Sequence, residues 1–127
     1  MAEKKVIATD QAPKAIGPYS QGVLVGNMLF VSGQLGIDPL TGKMVEGGVG
    51  AQARQALTNV MAILMAANMS LRDAVQVQVF LVDIADFAAV NEVYKEFFGE
   101  PYPARAAFAV AALPAGGSVE ILVTAVG

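Results

Sequence analysis

Apolar and polar positions along this chain follow two periods, and the switches between them mark the elements. Gly22 to Val25 and Met28 to Gln34 read as two strands around Gly26-Asn27, a dipeptide suited to the positive φ of a tight hairpin turn. Asp38-Pro39-Leu40-Thr41-Gly42 is a second turn, and Gly47, Gly48 and Gly50 leave a loose stretch after it. From about residue 50 to 67 the period lengthens. Ala53, Leu57, Val60, Leu64 and Ala67 recur at helical spacing, with Gln52, Gln55 and Asn59 off that face. Met61 and Met65 widen the stripe as packing residues, and Asn68 is placed to close the helix in the left-handed conformation. Val75 to Val79 then alternates as a strand with one buried face. Asp86 is expected to cap a second helix in which Phe87, Val90, Tyr94 and Phe97 share a face and which Gly99 stops. Pro101 and Pro103 hold the next segment extended. Two last strands, about Arg105 to Ala112 and Ser118 to Val126, are joined through Leu113-Pro114-Ala115-Gly116-Gly117.

The order β-β-α-β-α-β-β predicts an α+β fold: a mixed sheet with two helices on one face. At 127 residues the chain reads as one domain, residues 1–127, able to bury a core by itself. The other sheet face is left uncovered. With 55% hydrophobic and only 15% charged residues, that face is expected to be buried against further subunits.

Charge and composition then remove several classes of function. The eight Lys and Arg residues are scattered and the net charge is −3, so no basic track exists for a phosphate backbone, and nucleic acid is not an expected partner. No apolar run approaches the roughly 18 residues needed to span a bilayer. The segment MAEKKVIATDQAPK lacks an apolar core and cleavage site for export, and a cytoplasmic location is expected. Without Cys or His there is no thiolate nucleophile, no Ser-His-Asp triad and no ordinary zinc site, and no D-x-D-x-D-G loop offers a hard-metal site. Gly47-Gly48-Val49-Gly50 lacks the spacing of a phosphate-binding loop.

Between Pro101 and Gly127 only Arg105 and Glu120 carry formal charge, set in small and apolar sequence. Isolated charges in strand-like sequence are costly without partners. Period two puts Arg105 on one face with Ala107, Ala109 and Ala111, above a floor of alanines, and Glu120 on one face with Leu122 and Thr124. In a hairpin centred on Ala115, Glu120 lies opposite Val110 and Arg105 opposite Ala125. The two are then roughly 16 Å apart along the ladder, beyond a direct bridge. A guanidinium fork suits a carboxylate, and a partly desolvated Glu can polarise water as a general acid or base. From the residues alone an ion pair at an oligomer interface stands as the alternative.

The runs Ile16-Gly17-Pro18-Tyr19-Ser20-Gln21, Phe30-Val31-Ser32-Gly33-Gln34, Asn91 with Val93-Tyr94, Pro103-Ala104-Arg105, Leu113-Pro114 and Val119-Glu120-Ile121 stand in an order that resembles the RidA/YjgF family over essentially the whole chain. The resemblance implies a six-stranded-type sheet like that of the trimeric bacterial chorismate mutase. It also implies a homotrimer with a ligand cleft at each subunit interface, and hydrolysis of 2-iminobutanoate and 2-iminopropanoate to 2-keto acids and ammonia without metal or cofactor. Arg105 would clamp the substrate carboxylate and Glu120 would hold the hydrolytic water or the imine. Tyr19, Ser32, Gly33 and Asn91 would line the pocket. Each has a plainer reading, as turn packing for Tyr19, a strand end for Ser32-Gly33 and a solvated helix position for Asn91. Ala106 and Ala107 stand where the family often has a hydroxyl or thiol, Leu122 where a second acid is common at an expectedly peripheral place, and Asn68 where Gly is frequent. The alternatives are a non-catalytic carboxylate-binding or protein-interacting trimer and, less in keeping with these residues, a ribonuclease or translation inhibitor.

Overall fold

A computed structural model describes residues 3–127. Along the chain run β1 (Lys4–Ile7), β2 (Gly22–Val25), β3 (Met28–Leu35), α1 (Gly48–Ala66), β4 (Ala74–Leu81), α2 (Phe87–Phe97), β5 (Ala104–Ala109) and β6 (Val119–Val126). The strands form one mixed sheet in the order β1-β2-β3-β6-β4-β5, parallel only between β4 and β5. The α+β architecture expected from the pattern is the one adopted. The β2–β3 hairpin turns at Gly26 with φ +60°, pairing Val25 with Met28. Periodicity gave no sign of β1, because Ile7 is its one buried residue and the other three are exposed.

The expected terminal hairpin does not form. β6 lies between β3 and β4, and β5 sits outside β4, so Phe80 pairs with Glu120 on one side and Phe108 on the other. The cause is the connection through α2. A strand–helix–strand unit brings its second strand back parallel to its first, which fixes β5 beside β4. β6 is left to fill the central place between β3 and β4. β5 also stops at Ala109 rather than Ala112.

Alternate residues of the central strands build the core. Val119, Ile121, Val123 and Ala125 of β6, with Val77, Val79 and Leu81 of β4 and Leu29 and Val31 of β3, pack under Leu57, Val60, Ile63 and Leu64 of α1 and Val90 and Tyr94 of α2. Each Val, Leu or Ile side chain among them contributes about 1.5–3 kcal/mol on burial. A register shift between Ala74 and Gln76 turns Val75 outward, and regular alternation begins only at Val77. The opposite face carries Met28, Phe30, Phe80, Phe108, Leu122 and Thr124, and no helix covers it; Phe30 is 45% exposed and Phe108 50%.

The helices differ from expectation in detail. α1 starts at Gly48, straight after Gly47 at φ +112°. Gln52 and Asn59, expected off its packed face, are buried. Their amides hold backbone that the strands leave unpaired: Asn59 Nδ2 donates to Leu35 O (3.1 Å) and Ile37 O (2.9 Å), and Ser118 N donates to Gln52 Oε1 (2.8 Å). Asn68 is left-handed at φ +59°, as expected of a helix stop. Asp86 makes no capping hydrogen bond. Asp83 does so instead, accepting from Ala85 N at the head of a short 3-10 turn that runs into α2.

Candidate active site

Glu120 emerges on the open sheet face, with Leu35 and Phe80 as its cross-strand neighbours. Its carboxyl lies against Gly33, where the register of β3 on β6 shifts between Val31 and Gln34. A Cβ on Gly33 would stand 2.9 Å from Glu120 Cδ, so only glycine leaves room for this approach. Among the described residues none pairs with or donates to the Glu120 carboxylate. Half-burial lifts its pKa above the ordinary carboxylate value. The carboxyl faces a cavity of about 910 Å³ whose lining includes Tyr19, Ser32 and Gly33 with apolar Ile16, Leu35, Ile37 and Leu122. Leu122 lines the same cavity.

The loop that carries Tyr19 is tied down from below. Buried Gln21 donates through Nε2 to Thr9 O (3.1 Å), Ala12 O (3.3 Å) and Pro13 O (2.7 Å), and accepts from Thr9 N (2.7 Å). Ser32 donates its hydroxyl to Ser20 O and its N–H to Gln21 O. The Ser32 side chain thus joins β3 to the Tyr19 loop at the cleft wall.

Arg105 lies elsewhere. On β5 it pairs with Val77, a core-facing residue, so its side chain reaches the α2 side of the sheet. Its Nη1 donates to Asn91 Oδ1 at 2.7 Å. The guanidinium carbon sits 4.6 Å from the Tyr94 ring centroid and 5.2 Å from that of Phe87. Ala107 and Ala109 share its face as expected, but the guanidinium itself lies against aromatic rings, because an edge strand next to β4 meets α2 on that side. Asn91, Tyr94, Tyr102 and Arg105 border a second cleft of about 450 Å³. The buried Tyr94 hydroxyl has no hydrogen-bond partner among the described residues; burial raises its pKa, and the Arg105 charge partly offsets the rise. Ala107 shares the Arg105 face opposite Val79, whereas Ala106, opposite Gln78, points to the open face.

The six residues picked out of the sequence thus divide into two groups: Tyr19, Ser32, Gly33 and Glu120 in one cleft, Asn91 and Arg105 in the other. Arg105 and Glu120 stand on opposite faces of the sheet. Two strand spacings and three residue steps separate them, roughly 14 Å of backbone. No bridge joins them, for a reason other than the hairpin register first argued. Nothing in the sequence marks Gln21, Gln52, Asn59 or the two rings under Arg105 as supports. A buried amide is hard to see in sequence, since nothing local tells it from a solvated one.

Fold and site together define an α+β protein of the chorismate-mutase-like type with an unpaired carboxyl on one sheet face and a propped guanidinium on the other. The chain belongs to the RidA/YjgF family, whose model, described as Endoribonuclease L-PSP, matches residues 9–127. It is 54% identical to the 2-iminobutanoate/2-iminopropanoate deaminase of Bos taurus and 50% identical to that of Homo sapiens, in both cases over 97% of this chain and 90% of the relative. Among solved structures, RidA from Psychrobacter superposes with a TM-score of 0.94 at 52% identity, covering 97% of this chain and 99% of that one. TdcF of E. coli with bound serine superposes with a TM-score of 0.92 at 48% identity, covering 98% and 99%.

Proposed function

We propose that this protein hydrolyses 2-imino acids and their enamine tautomers, 2-iminobutanoate and 2-iminopropanoate foremost, to 2-keto acids and ammonia. We further propose that it works in the cytoplasm as a single-domain homotrimer with its sites between subunits and with neither nucleic acid nor membrane as partner. The observation that carries the reading is Arg105, a guanidinium held by one neutral acceptor and two ring faces, whose remaining N–H groups are unclaimed by any described residue. A small carboxylate is the ligand such a fork fits. A relative crystallised with bound serine, and relatives named as imine deaminases, support that ligand class.

The chemistry follows from the second group. Arg105 pins the substrate carboxylate while Glu120 takes a proton from water as the oxygen adds to the imine carbon. The carboxyl then returns that proton to nitrogen, giving a carbinolamine; Glu120 next takes the hydroxyl proton and passes it to nitrogen as the C–N bond breaks, so that the carbonyl forms and ammonia leaves. The balance needs only water. A four-carbon imino acid cannot span the distance between Arg105 and Glu120 of one chain, nor reach through the sheet. Two copies are required, one contributing Arg105 with Asn91 and its neighbour contributing Glu120 with Tyr19, Ser32 and Gly33. The open apolar sheet face supplies the surface for that association.

The test is ammonia release from threonine with a threonine dehydratase present. Addition of this protein is expected to accelerate it, and Arg105→Ala to remove the gain; equal acceleration by the variant would refute the assignment. Keto acid bound at Arg105 with no acceleration would identify a carboxylate-binding protein instead.

A further inference from the structure

Arg105 sits on an edge strand, where a long side chain would ordinarily sample many rotamers. Here α2 holds it. Phe87, Asn91 and Tyr94, spaced four and three residues apart, present one helix face to the guanidinium. The rings of Tyr94 and Phe87 lie 4.6 and 5.2 Å from its central carbon, and Asn91 Oδ1 accepts from Nη1 at 2.7 Å. The charged neighbours on this part of α2, Glu92 and Lys95, are exposed and paired with each other at 3.2 Å. Among the described residues, the one side-chain acceptor on the guanidinium is the uncharged Asn91 amide. An aspartate at this position would hold the fork more tightly, since charge-assisted hydrogen bonds are the stronger kind. It would also cancel the charge an incoming carboxylate needs.

We propose that Asn91 is a positioning residue that orients Arg105 against Tyr94 and Phe87 without neutralising it, so that a substrate carboxylate meets a guanidinium both aimed and fully charged. The inference rests on the reading of Arg105 as the carboxylate clamp. It goes beyond that reading in giving Asn91 a role exerted through Arg105, and in making the neutrality of its amide the reason for the residue type.

Asn91→Asp and Asn91→Leu separate the two requirements. The first keeps an acceptor and adds charge; the second removes the acceptor and keeps the site neutral. Three quantities are measured on each full-length variant: the dissociation constant of 2-ketobutyrate by calorimetry, KM and kcat in the dehydratase-coupled assay, and Tm. Asn91→Asp is expected to hold or raise Tm yet weaken 2-ketobutyrate binding and raise KM about tenfold, the effect of a like charge roughly 6 Å from the ligand after screening, with a smaller change in kcat. Asn91→Leu is expected to weaken binding a few-fold through loss of aim. A merely structural hydrogen bond predicts the same held or firmer Tm for Asn91→Asp but an unchanged affinity and KM, and that result overturns the proposal. Arg105→Ala is the control. If it binds 2-ketobutyrate as the parent does, the clamp reading itself fails. If it has lost binding while both Asn91 variants bind normally, only the role of Asn91 fails.

Discussion

Glu120 is half-buried, and no described residue supplies it with a counterion. Removal from water raises its pKa, so the ionised form is the one the fold disfavours. The penalty is present in full once the pH exceeds the raised folded-state value. It disappears as the pH falls below the unfolded value of about 4.3, where the group is protonated in both states. Glu120→Gln is accordingly expected to raise Tm at neutral pH, with a gain that shrinks to nothing under acid, followed by calorimetry across the range. The same variant should lose hydrolysis by about 10²–10⁴-fold, the usual worth of a positioned acid–base group. In the parent enzyme the acid limb of the rate profile should lie above the ordinary carboxylate range. Gly33 is coupled to this residue by space alone. Its backbone conformation is open to any residue, so Gly33→Ala should fold, yet its Cβ must displace a carboxyl 2.9 Å away. Displacement of about 1 Å can cost around 10²-fold in rate; a variant with full activity and an unmoved Glu120 in its crystal structure would disprove the coupling. The two lone charges were visible in the sequence because their surroundings are so apolar. The aromatic partners of Arg105 were not, because Phe87 and Tyr94 carry the same helical spacing as core residues.

α1 is both a lid on the core and a brace for the Glu120 cleft. Asn59 satisfies the carbonyls of Leu35 and Ile37, where β3 ends and the cleft wall begins, and Gln52 satisfies the N–H of Ser118 two residues before Glu120. Gly36 lets the helix come that close, since a Cβ there would lie 2.6 Å from Gln52 Cα. Asn59→Leu leaves two carbonyls without their donor and is expected to cost about 2–3 kcal/mol, read from urea unfolding. A loss below about 0.5 kcal/mol would mean water replaces the amide freely. Element positions were largely legible, since the 2.0 and 3.6 periods are local properties. The inward turn of Gln52 and Asn59 was not, because what makes an amide worth burying is backbone at the far ends of β3 and β6.

For the whole molecule, the open sheet face and the division of the site make one argument. Phe30 and Phe108 project from a face that no helix covers. Because both are about half exposed, Phe30→Glu and Phe108→Glu should cost the single subunit little, while charge on the face prevents association. Light scattering is expected to find folded monomers, and hydrolysis is expected to vanish with the assembly. A monomer with full activity would show that one chain suffices. Complementation gives a sharper result. Under the proposed shared site, mixed assemblies of Arg105→Ala and Glu120→Gln chains contain interfaces with both groups intact, and should recover activity that neither variant has alone; a site within one chain recovers none. No helix among the described residues is long and apolar enough to cross a membrane.

The sequence by itself determined the fold class, the helix positions, most strands, the isolation of Arg105 and Glu120 and, through its motifs, the family. These are matters of local period, composition and ordered short runs. Strand order is different. Whether β6 pairs with its chain neighbour β5 or inserts between β3 and β4 depends on the closure of the β4–α2–β5 crossover and on which apolar faces can be covered together. That choice, made only in three dimensions, put Glu120 beside Gly33 on one face and Arg105 above Tyr94 on the other. It thereby set two lone charges in separate clefts on opposite faces of one sheet.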